Sequence, residues 1–176
     1  YPSQSFHRKN FILGHKGNSM IIDVVVASTS RFEKFGPVSH PEEAEDLSGK
    51  VILEKIKGAG YAARYSLLPD GFVLREAVEK STADAIIICG GTGLTHLDLT
   101  LEAIEPLFEK TLPGFGEIFR CKSLEEVGTR AMLTRAAAGV YQSKPVFCLP
   151  GSPGAARLGL DLILKEIEHI IGHIRE

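Results

Sequence analysis

The sequence predicts a single three-layer α/β domain, in which a mostly parallel sheet is flanked by helices on both faces. Two observations support this fold class. Short β-branched or wholly apolar runs alternate with segments of helical periodicity, and turns with glycine or proline follow the runs. Strands that are apolar throughout are typical of a parallel sheet, since both of its faces are covered. The chain of 176 residues is long enough for one such domain and too short for two.

The elements of the first half follow from apolar periodicity and from turn residues. β-branched runs predict strands, apolar residues three and four apart predict helices, and glycine or proline marks their ends. In chain order, the predicted elements are a strand at 21–28, a long mobile loop at 31–45, a helix at 46–57, a weaker edge strand at 61–68, a helix at 72–80 and a buried strand beginning at Ala85.

The second half continues the alternation. The predicted elements are a helix at 101–110, a glycine-containing excursion at 111–121, a mostly helical segment at 123–140, a short apolar strand at 145–149 and a final helix from about 154 to 173. Ser123 and Glu126 have the spacing of a capping box, which predicts a helix start at Ser123. The final helix is apolar over more than one stripe, which fits either deep packing or a subunit interface.

Composition excludes several classes of protein. The formal net charge of −2 gives no global field that recruits nucleic acid, so an anionic ligand must be held by local groups. No apolar run approaches the ~18 to 20 residues of a membrane span. Three widely spaced cysteines suit a reduced, cytoplasmic setting. Residues 1–19 are polar and basic, so we expect a flexible N-terminal arm before a domain at 20–176.

The most informative segment is a glycine loop directly after the buried strand. It contains Gly90, Gly91 and Gly93 together with Thr92 and Thr95. Backbone N–H groups of such a turn can approach an anion closely. The loop is not a P-loop, because no Gly-Lys-Ser/Thr follows it, and it lacks the third glycine of a dinucleotide fingerprint. The pattern predicts a site for nucleotide or phosphate-ester chemistry.

Two aspartates are candidates for the acidic part of this site. Asp98 follows the glycine loop, and Asp70 follows the strand at 61–68. Either could be a local structural residue: Asp70 a turn residue before Gly71, and Asp98 the cap of a helix that starts near Thr100. Together they could instead share a Mg²⁺ ion, which takes one or two carboxylates plus substrate phosphates.

Other polar residues allow two interpretations each. The run at 46–49 (Asp-Leu-Ser-Gly) is either a helix start or a second small anion-facing turn. His96 is either a surface histidine or an acid or base. Arg135, next to Thr134 in a predicted helix, either clamps a phosphate or is solvated. The turn at 150–153 follows a strand. The turn that contains Asp70 and the glycine loop also follow strands, so one rim of the sheet could hold all three segments.

Taken together, these residues resemble the MogA/MoaB family of molybdopterin-binding proteins. The family's GGTGxTxRDxTPEA run appears at 90–103, its PGFGExFR block at 113–120, its PGxP turn at 150–153 and its DxSG at 46–49. The segment 123–135 resembles the MoaB branch of the family. These motifs are highly specific, and the resemblance extends from about Ile21 to the last helix.

The resemblance implies an enzyme of molybdenum cofactor biosynthesis. It implies adenylylation of molybdopterin, in which the terminal phosphate of the pterin attacks the α-phosphorus of MgATP and pyrophosphate leaves. It also implies a homo-oligomer, usually a trimer or hexamer, which favours an interface on the final helix. A downstream protein that inserts molybdenum, or in some organisms tungsten, is the implied partner.

The resemblance also implies roles for the candidate residues. The family's two important acids correspond to Asp70 and Asp98, which would act in catalysis and hold Mg²⁺. The residues implied to bind nucleotide phosphates are Gly90, Gly91, Thr92, Gly93 and Thr95. The residues implied to bind molybdopterin are Ser48, Gly49, Thr134, Arg135, Pro150, Gly151, Ser152 and Pro153.

Three departures from the family pattern keep a second function open. Leu97 stands in place of the family's arginine, Leu101 in place of the proline of TPEA, and Gly71 where relatives often carry a second acid. Some members of the MoaB branch lack transferase activity. The alternative function is therefore a non-catalytic molybdopterin-binding or carrier protein of the same pathway. Because both aspartates are present, the active enzyme is the favoured hypothesis.

Overall fold

A computed structural model describes residues 20–176, so the N-terminal arm predicted at 1–19 lies outside the described residues. The described chain forms one six-stranded sheet with helices on both faces. The strands are β1 (Ile21–Ala27), β2 (Ala62–Leu68), β3 (Ala85–Cys89), β4 (Lys110–Thr111), β5 (Ala137–Tyr141) and β6 (Lys144–Leu149). The α-helices are α1 (Thr29–Phe35), α2 (Leu47–Gly58), α3 (Val73–Lys80), α4 (Thr100–Ile104), α5 (Pro113–Val127) and α6 (Pro153–Arg175).

The sheet is mostly parallel, which confirms the predicted fold class. Its strand order is β2-β1-β3-β6-β5-β4. The first four strands of this order run parallel, and the last two are added in antiparallel pairing. β2 lies at an edge, as its weaker apolar pattern predicts. β3 is central and buried along its whole length, which explains why all its residues are apolar.

Two hydrophobic cores cover the two faces of the sheet. Successive side chains of a strand point to opposite faces, so β3 contributes to both cores. Ile87 packs with residues of α2, α5 and α6, whereas Ile86 and Ile88 pack with residues of α3 and α4. This three-layer packing fixes the parallel strands in register, and their carboxyl ends meet at one rim.

The prediction of a mobile loop at 31–45 is wrong. The segment contains most of α1 and a short 3₁₀ helix at Pro41–Ala44. Helix α1 begins after Ser28, whose side chain accepts a hydrogen bond from the Arg31 N–H, and it ends at Gly36 with φ of 71°. The serine and the glycine were visible in the sequence, but a helix of two turns is too short to show periodicity.

The prediction of an irregular, glycine-containing segment at 111–121 is also wrong, because α5 covers most of it. The helix begins at Pro113, a position where the missing N–H of proline costs no hydrogen bond. Ser123 lies inside this helix and is buried, so it does not start a new helix. The true end of α5 is Gly128, whose φ of 65° few other residues adopt.

The helix predicted at 123–140 therefore breaks into separate parts. After α5 come 3₁₀ turns at Gly128–Leu133, and then β5. Alanine is tolerated in β5 because strand pairing and packing outweigh its helix propensity. Gly139 shows this packing, since a Cβ there would come within 2.3 Å of the Phe108 ring. The helix predicted at 101–110 is shorter too: α4 gives way to a 3₁₀ turn at Glu105–Leu107.

Helix α6 is apolar because it packs deeply. Its large apolar side chains up to Ile171 belong to the larger core or pack against it, and Ile174 is half-buried. No helix within residues 20–176 is long and apolar enough to cross a membrane. A group of exposed apolar side chains lies instead on α5 and on the turns after it, and we name it the α5 patch: Ile118, Leu124, Val127, Met132 and Leu133.

Asp84 joins the start of β1 to the end of α6. Its Oδ2 accepts a hydrogen bond from the Ile21 N–H at 2.9 Å, and its Oδ1 accepts one from the Arg175 guanidinium at 2.7 Å. Burial acts to raise the pKa of this carboxyl, but the bonds from Arg175 and Ile21 outweigh burial and hold the pKa below its usual value. The ionised carboxylate therefore stabilises the fold.

We expect Asp84→Asn to lower the melting temperature near neutral pH by about 2–4 °C, which corresponds to about 1 kcal/mol. The contribution of the carboxylate is present above the ordinary carboxyl pKa of about 3.9. It is lost as pH falls through the lower pKa of the folded state. Thermal unfolding of both proteins at several pH values should show the difference shrinking below about pH 4. A difference that does not change with pH would exclude the charge as its source.

Candidate functional site

The loops at the carboxyl ends of the parallel strands surround one cleft. Its volume is about 510 Å³, and its lining includes the start of α1, the glycine loop, Thr134, Pro150 and Gly151. Asp70 and Asp98 both line this cleft, so the two carboxylates lie on the same side of the molecule. The rim that the sequence predicts thus brings the three loops together.

Asp70 is held by a threonine from a different part of the chain. Its Oδ2 accepts hydrogen bonds from the Thr29 N–H and from the Thr29 hydroxyl, both at 3.1 Å. The Asp70 N–H in turn donates to the Thr29 hydroxyl at 3.0 Å. A turn aspartate would bond to its own loop, so the structure favours the site interpretation over the local one. Sequence reasoning missed Thr29, because the start of α1 was not recognised.

The second oxygen of Asp70, Oδ1, is buried and has no hydrogen-bond partner. It lies against Gly91, where a Cβ would come within 2.0 Å of this oxygen and 2.4 Å of the Thr100 hydroxyl. Gly91 therefore makes room for the carboxylate and also takes a φ of 63°. A buried carboxylate oxygen without a donor is costly, and a bound cation would supply the missing partner.

Asp98 is held ionised by its own loop. Its Oδ2 accepts hydrogen bonds from the Thr95 hydroxyl at 2.6 Å and from the Thr95 N–H at 2.9 Å. The hydroxyl bond is the main reason that the pKa of Asp98 lies below its usual value, and it outweighs the opposing effect of burial. The cap position of α4 is Leu99, so Asp98 is not the helix cap.

The glycine loop is closed by Thr100. The Thr100 hydroxyl donates to the Gly90 carbonyl at 2.8 Å, and its N–H donates to the Gly91 carbonyl at 2.9 Å. Thr100 is fully buried, and Thr92 is buried although it lines the cleft. The hydroxyl of Thr95 is used by Asp98, and Thr95 is not part of the cleft lining. Gly90, Gly91, Thr92 and Gly93 line the cleft as predicted.

The run at 46–49 is a helix start that also supports the cleft. Asp46 caps α2 by accepting a hydrogen bond from the Gly49 N–H at 3.0 Å, and its other oxygen accepts one from the Tyr65 hydroxyl at 2.7 Å. The Ser48 hydroxyl donates to the Gly151 carbonyl at 2.7 Å. Ser48 and Gly49 are buried and do not line the cleft; Asp46 does.

The turn at 150–153 divides between the cleft and a helix. Pro150 and Gly151 line the cleft. Ser152 caps α6 by accepting a hydrogen bond from the Ala155 N–H at 3.2 Å, and Pro153 is the first residue of that helix. The N-terminus of α6, whose free N–H groups favour anions, therefore begins beside the cleft.

Arg135 lies outside the predicted helix and outside the cleft lining. It follows the 3₁₀ turns in an irregular segment, and it lines a neighbouring depression of about 660 Å³. Its guanidinium donates to the Thr92 carbonyl at 3.0 Å and to the Glu102 carboxylate at 2.6 Å. It is thus engaged by protein groups. His96 is exposed and lies outside the cleft lining, which favours its interpretation as a surface residue.

Sequence reasoning missed the cation of this site. Arg31, in the first turns of α1, is the only lysine or arginine among the described residues that line the cleft. No ion pair between described residues involves it. Leu97 and Leu133 add an apolar edge, with 64% and 59% of their surfaces exposed.

The residues present fit a magnesium ion that is shared with a substrate. Within residues 20–176, no cluster of three or more histidine, cysteine, aspartate or glutamate side chains could hold a metal by itself. Magnesium sites that also bind phosphates need only one or two carboxylates. Asp70, with one oxygen unpartnered, and Asp98, held ionised, match this donor set.

A parallel α/β sheet with a glycine loop, two aspartates and an arginine around one rim cleft defines a domain that binds phosphate-bearing small molecules. A family model described as a probable molybdopterin binding domain matches residues 23–169. The chain belongs to this family, which confirms the resemblance that the motifs indicated.

The chain is similar to several named proteins. It is 43% identical over 157 residues to a molybdopterin adenylyltransferase of Pyrococcus furiosus, covering 81% of this chain and 92% of that protein. It is 42% identical over 142 residues to molybdenum cofactor biosynthesis protein B of Bacillus subtilis, covering 74% and 82% of the two. The solved structure of the tungsten cofactor synthesizing protein MoaB from Pyrococcus furiosus matches with a TM-score of 0.77 and 39% identity, over 91% of this chain and 99% of that one.

Proposed function

We propose that this chain is a molybdopterin adenylyltransferase of molybdenum cofactor biosynthesis. An oxygen of the terminal phosphate of molybdopterin attacks the α-phosphorus of ATP. The bond from that phosphorus to the pyrophosphate breaks, and pyrophosphate leaves with the bonding electrons. The observation that carries the proposal is the single cleft lined by the glycine loop, Asp70 and Asp98. Relatives at 43% and 39% identity are named molybdopterin adenylyltransferase and probable molybdopterin adenylyltransferase.

The chemistry requires positioning and charge stabilisation more than covalent help from the protein. The backbone amides of 90–93 would bind the nucleotide phosphates. Asp70 and Asp98 would hold Mg²⁺, which when bound supplies positive charge to the triphosphate. Thr29 and Thr95 fix these two carboxylates, so Thr95 would act through Asp98.

Molybdopterin would occupy the side of the cleft formed by Thr134, Pro150 and Gly151. The apolar edge of Leu97 and Leu133 suits a ring system that carries little charge. The other predicted residues would act from outside the cleft lining in different ways. Ser48 would hold the Gly151 carbonyl through its hydroxyl, and Gly49 would hold Asp46 by donating its N–H. Ser152 and Pro153 would start α6 beside the cleft.

Arg31 would bind a phosphate of one substrate, because the cleft holds Asp46, Asp70 and Asp98 but no other described lysine or arginine. We expect Arg31→Gln to raise the KM for MgATP or for molybdopterin about 10-fold, the usual size of a lost charge-assisted hydrogen bond. Steady-state pyrophosphate release measures both constants. Lys34→Gln, an exposed lysine of the same helix, is the matched control and should change neither. Unchanged KM values in Arg31→Gln would remove Arg31 from the site.

Pyrophosphate release from purified protein, MgATP and molybdopterin tests the proposed activity directly. We expect release that depends on all three components and yields adenylylated molybdopterin. Isothermal titration with molybdopterin should accompany the assay, because binding and turnover are then measured on the same sample. Binding of molybdopterin without release of pyrophosphate would overturn the proposed enzymatic activity and support a non-catalytic binding protein.

The second candidate is a non-catalytic protein that binds molybdopterin and carries it within the same pathway. Two observations favour it. Leu97 places an exposed apolar side chain on the cleft, where an arginine would offset phosphate charge. Gly71 likewise offers no second acid beside Asp70. Titration would then show binding of the pterin, while MgATP would remain unconverted.

We also propose a homo-oligomer, a trimer or hexamer, that works in the cytoplasm and hands its product to a metal-insertion protein. Apart from Leu133, which lines the cleft, the exposed apolar side chains of the α5 patch support self-association, since large exposed apolar surfaces mark interaction sites. The described cysteines are all unpaired, in keeping with a reducing compartment. Sedimentation velocity should give a mass that is three or six times the chain mass of 19.1 kDa. A mass equal to that of one chain would contradict the oligomer.

A further inference from the structure

One side chain reaches from the segment before β5 to the glycine loop and to Asp98, which follows it. Arg135 Nε donates to the Thr92 carbonyl at 3.0 Å, and Arg135 Nη2 donates to the Asp98 carbonyl at 3.5 Å. Thr92 lies near the start of the loop, and Asp98 lies three residues after Thr95. A planar guanidinium with donors in a fixed fork therefore spans the loop from outside the cleft.

Glu102 fixes the orientation of this guanidinium. Its two carboxylate oxygens accept hydrogen bonds from Nη1 at 2.6 Å and from Nη2 at 3.3 Å. Two-point contacts of this kind add geometric specificity to the attraction of opposite charges. The side chains are 30% and 43% exposed, so the pair contributes more to geometry than to stability. Since Glu102 lies in α4, the guanidinium is anchored to a helix that directly follows the loop.

The peptide bond between Thr92 and Gly93 links the contact with Arg135 to the Asp98 carboxylate. Because the Thr92 C=O points to Arg135, the Gly93 N–H of the same trans peptide points in the opposite direction. The Asp98 carboxylate lies close to Gly93, since a Cβ there would come within 2.6 Å of its Oδ2. The Thr95 hydroxyl lowers the pKa of Asp98 most, and a hydrogen bond from the Gly93 backbone also lowers it. Arg135 thus holds the peptide that contacts the carboxylate.

We propose that Arg135 and Glu102 are a positioning pair, which holds the glycine loop so that the Gly93 amide and the Asp98 carboxylate are arranged for adenylyl transfer. This inference rests on the proposed function. It replaces the implied role of Arg135 as a ligand of molybdopterin, because the guanidinium donates to Thr92, Asp98 and Glu102 and lies outside the cleft lining.

A double-mutant cycle on kcat tests the pair. We expect Arg135→Gln and Glu102→Gln each to lower kcat about 10- to 30-fold, with the KM for molybdopterin within about twofold of wild type. The double variant should be no slower than the slower single variant, because the two residues act as one unit. Arg135→Lys should recover little, since lysine keeps the charge without the fork. Glu125→Gln, which breaks an exposed ion pair with Lys122, is the matched control.

A direct phosphate ligand would behave differently in the same cycle. Arg135→Gln would raise the KM for molybdopterin, Arg135→Lys would partly restore it, and Glu102→Gln would leave turnover unchanged. That pattern overturns the positioning role. Effects of Arg135→Gln and Glu102→Gln that multiply in the double variant also overturn it, since they would show independent action.

Amide hydrogen exchange in the free protein separates failure of this inference from failure of the proposed function. The Gly93 and Thr95 amides should exchange at least about 10-fold faster in Arg135→Gln and Glu102→Gln than in wild type. The control Glu125→Gln should match wild type. If wild type releases no pyrophosphate, the proposed function fails, and faster exchange still supports the pair as the holder of the loop. Unchanged exchange overturns the pair whatever the activity.

Discussion

Asp98→Ala is expected to reduce pyrophosphate release about 10³-fold or more while the protein stays folded. Asp98 lines the cleft, and the bonds from Thr95 hold its carboxylate ionised. Removing it leaves Asp70 as the only proposed carboxylate for Mg²⁺, so the charge of the triphosphate would no longer be offset in the right place. The fold should tolerate the change, because the side-chain contacts of Asp98 are confined to its own loop.

The measurement is pyrophosphate release at saturating MgATP and molybdopterin, together with thermal unfolding of each protein. Asp161→Ala is the matched control, since this aspartate is half-exposed, pairs with Lys55 and lies outside the cleft lining. The control should retain turnover, and both variants should melt within about 4 °C of wild type. Undiminished product from Asp98→Ala would remove Asp98 from the mechanism. A large fall in its melting temperature would show a structural role instead.

Gly90→Ala is expected to lower the free energy of unfolding by about 3 kcal/mol or more. Gly90 has φ of 105°, a conformation that side chains with a Cβ rarely adopt. A Cβ there would come within 2.2 Å of the Ala27 carbonyl oxygen, which belongs to the backbone of β1, a strand paired on both sides. Neither the strand nor the loop can move away cheaply, because both are fixed by the sheet.

Urea or thermal unfolding measures this effect, and the expected fall in melting temperature is about 6 °C or more. Gly172→Ala is the matched control: it lies near the end of α6, and a Cβ there would meet nothing within 4 Å. We expect the control to be neutral or to stabilise by less than about 1 kcal/mol, since alanine favours helix. Equal stability of Gly90→Ala and wild type would show that the loop does not need this conformation.

Much of the fold could be predicted from the sequence, because its buried strands are short, mainly apolar runs that local patterns reveal. The central strand β3, the edge strand β2 and the helices α2, α3 and α6 follow from such patterns. The segment from 111 to 141 could not be predicted in the same way. Its glycines and alanines suggest loop and helix locally, whereas Pro113 starts a helix and the alanines join a strand through pairing with β6.

The candidate site shows the same division. The glycine loop and the two aspartates have local signals, namely a turn after a buried strand and acids at strand ends. Thr29 and Arg31 have no such local signal. Their roles depend on tertiary contacts, because Thr29 donates to Asp70 and Arg31 lines the cleft. Arg135 could be singled out as a basic residue, but its partners Thr92 and Glu102 lie far from it in the chain.

By itself, the sequence determined the layers of the domain, the loops that end at the binding rim and the family to which the chain belongs. These properties depend on hydrophobic periodicity and on residues close together in the chain, such as the run at 90–103. Only the tertiary structure decided which donor holds each carboxylate, which cation faces the cleft and which arginine supports the loop. Those contacts join residues far apart in sequence, and their distances are set by how the helices pack on the sheet.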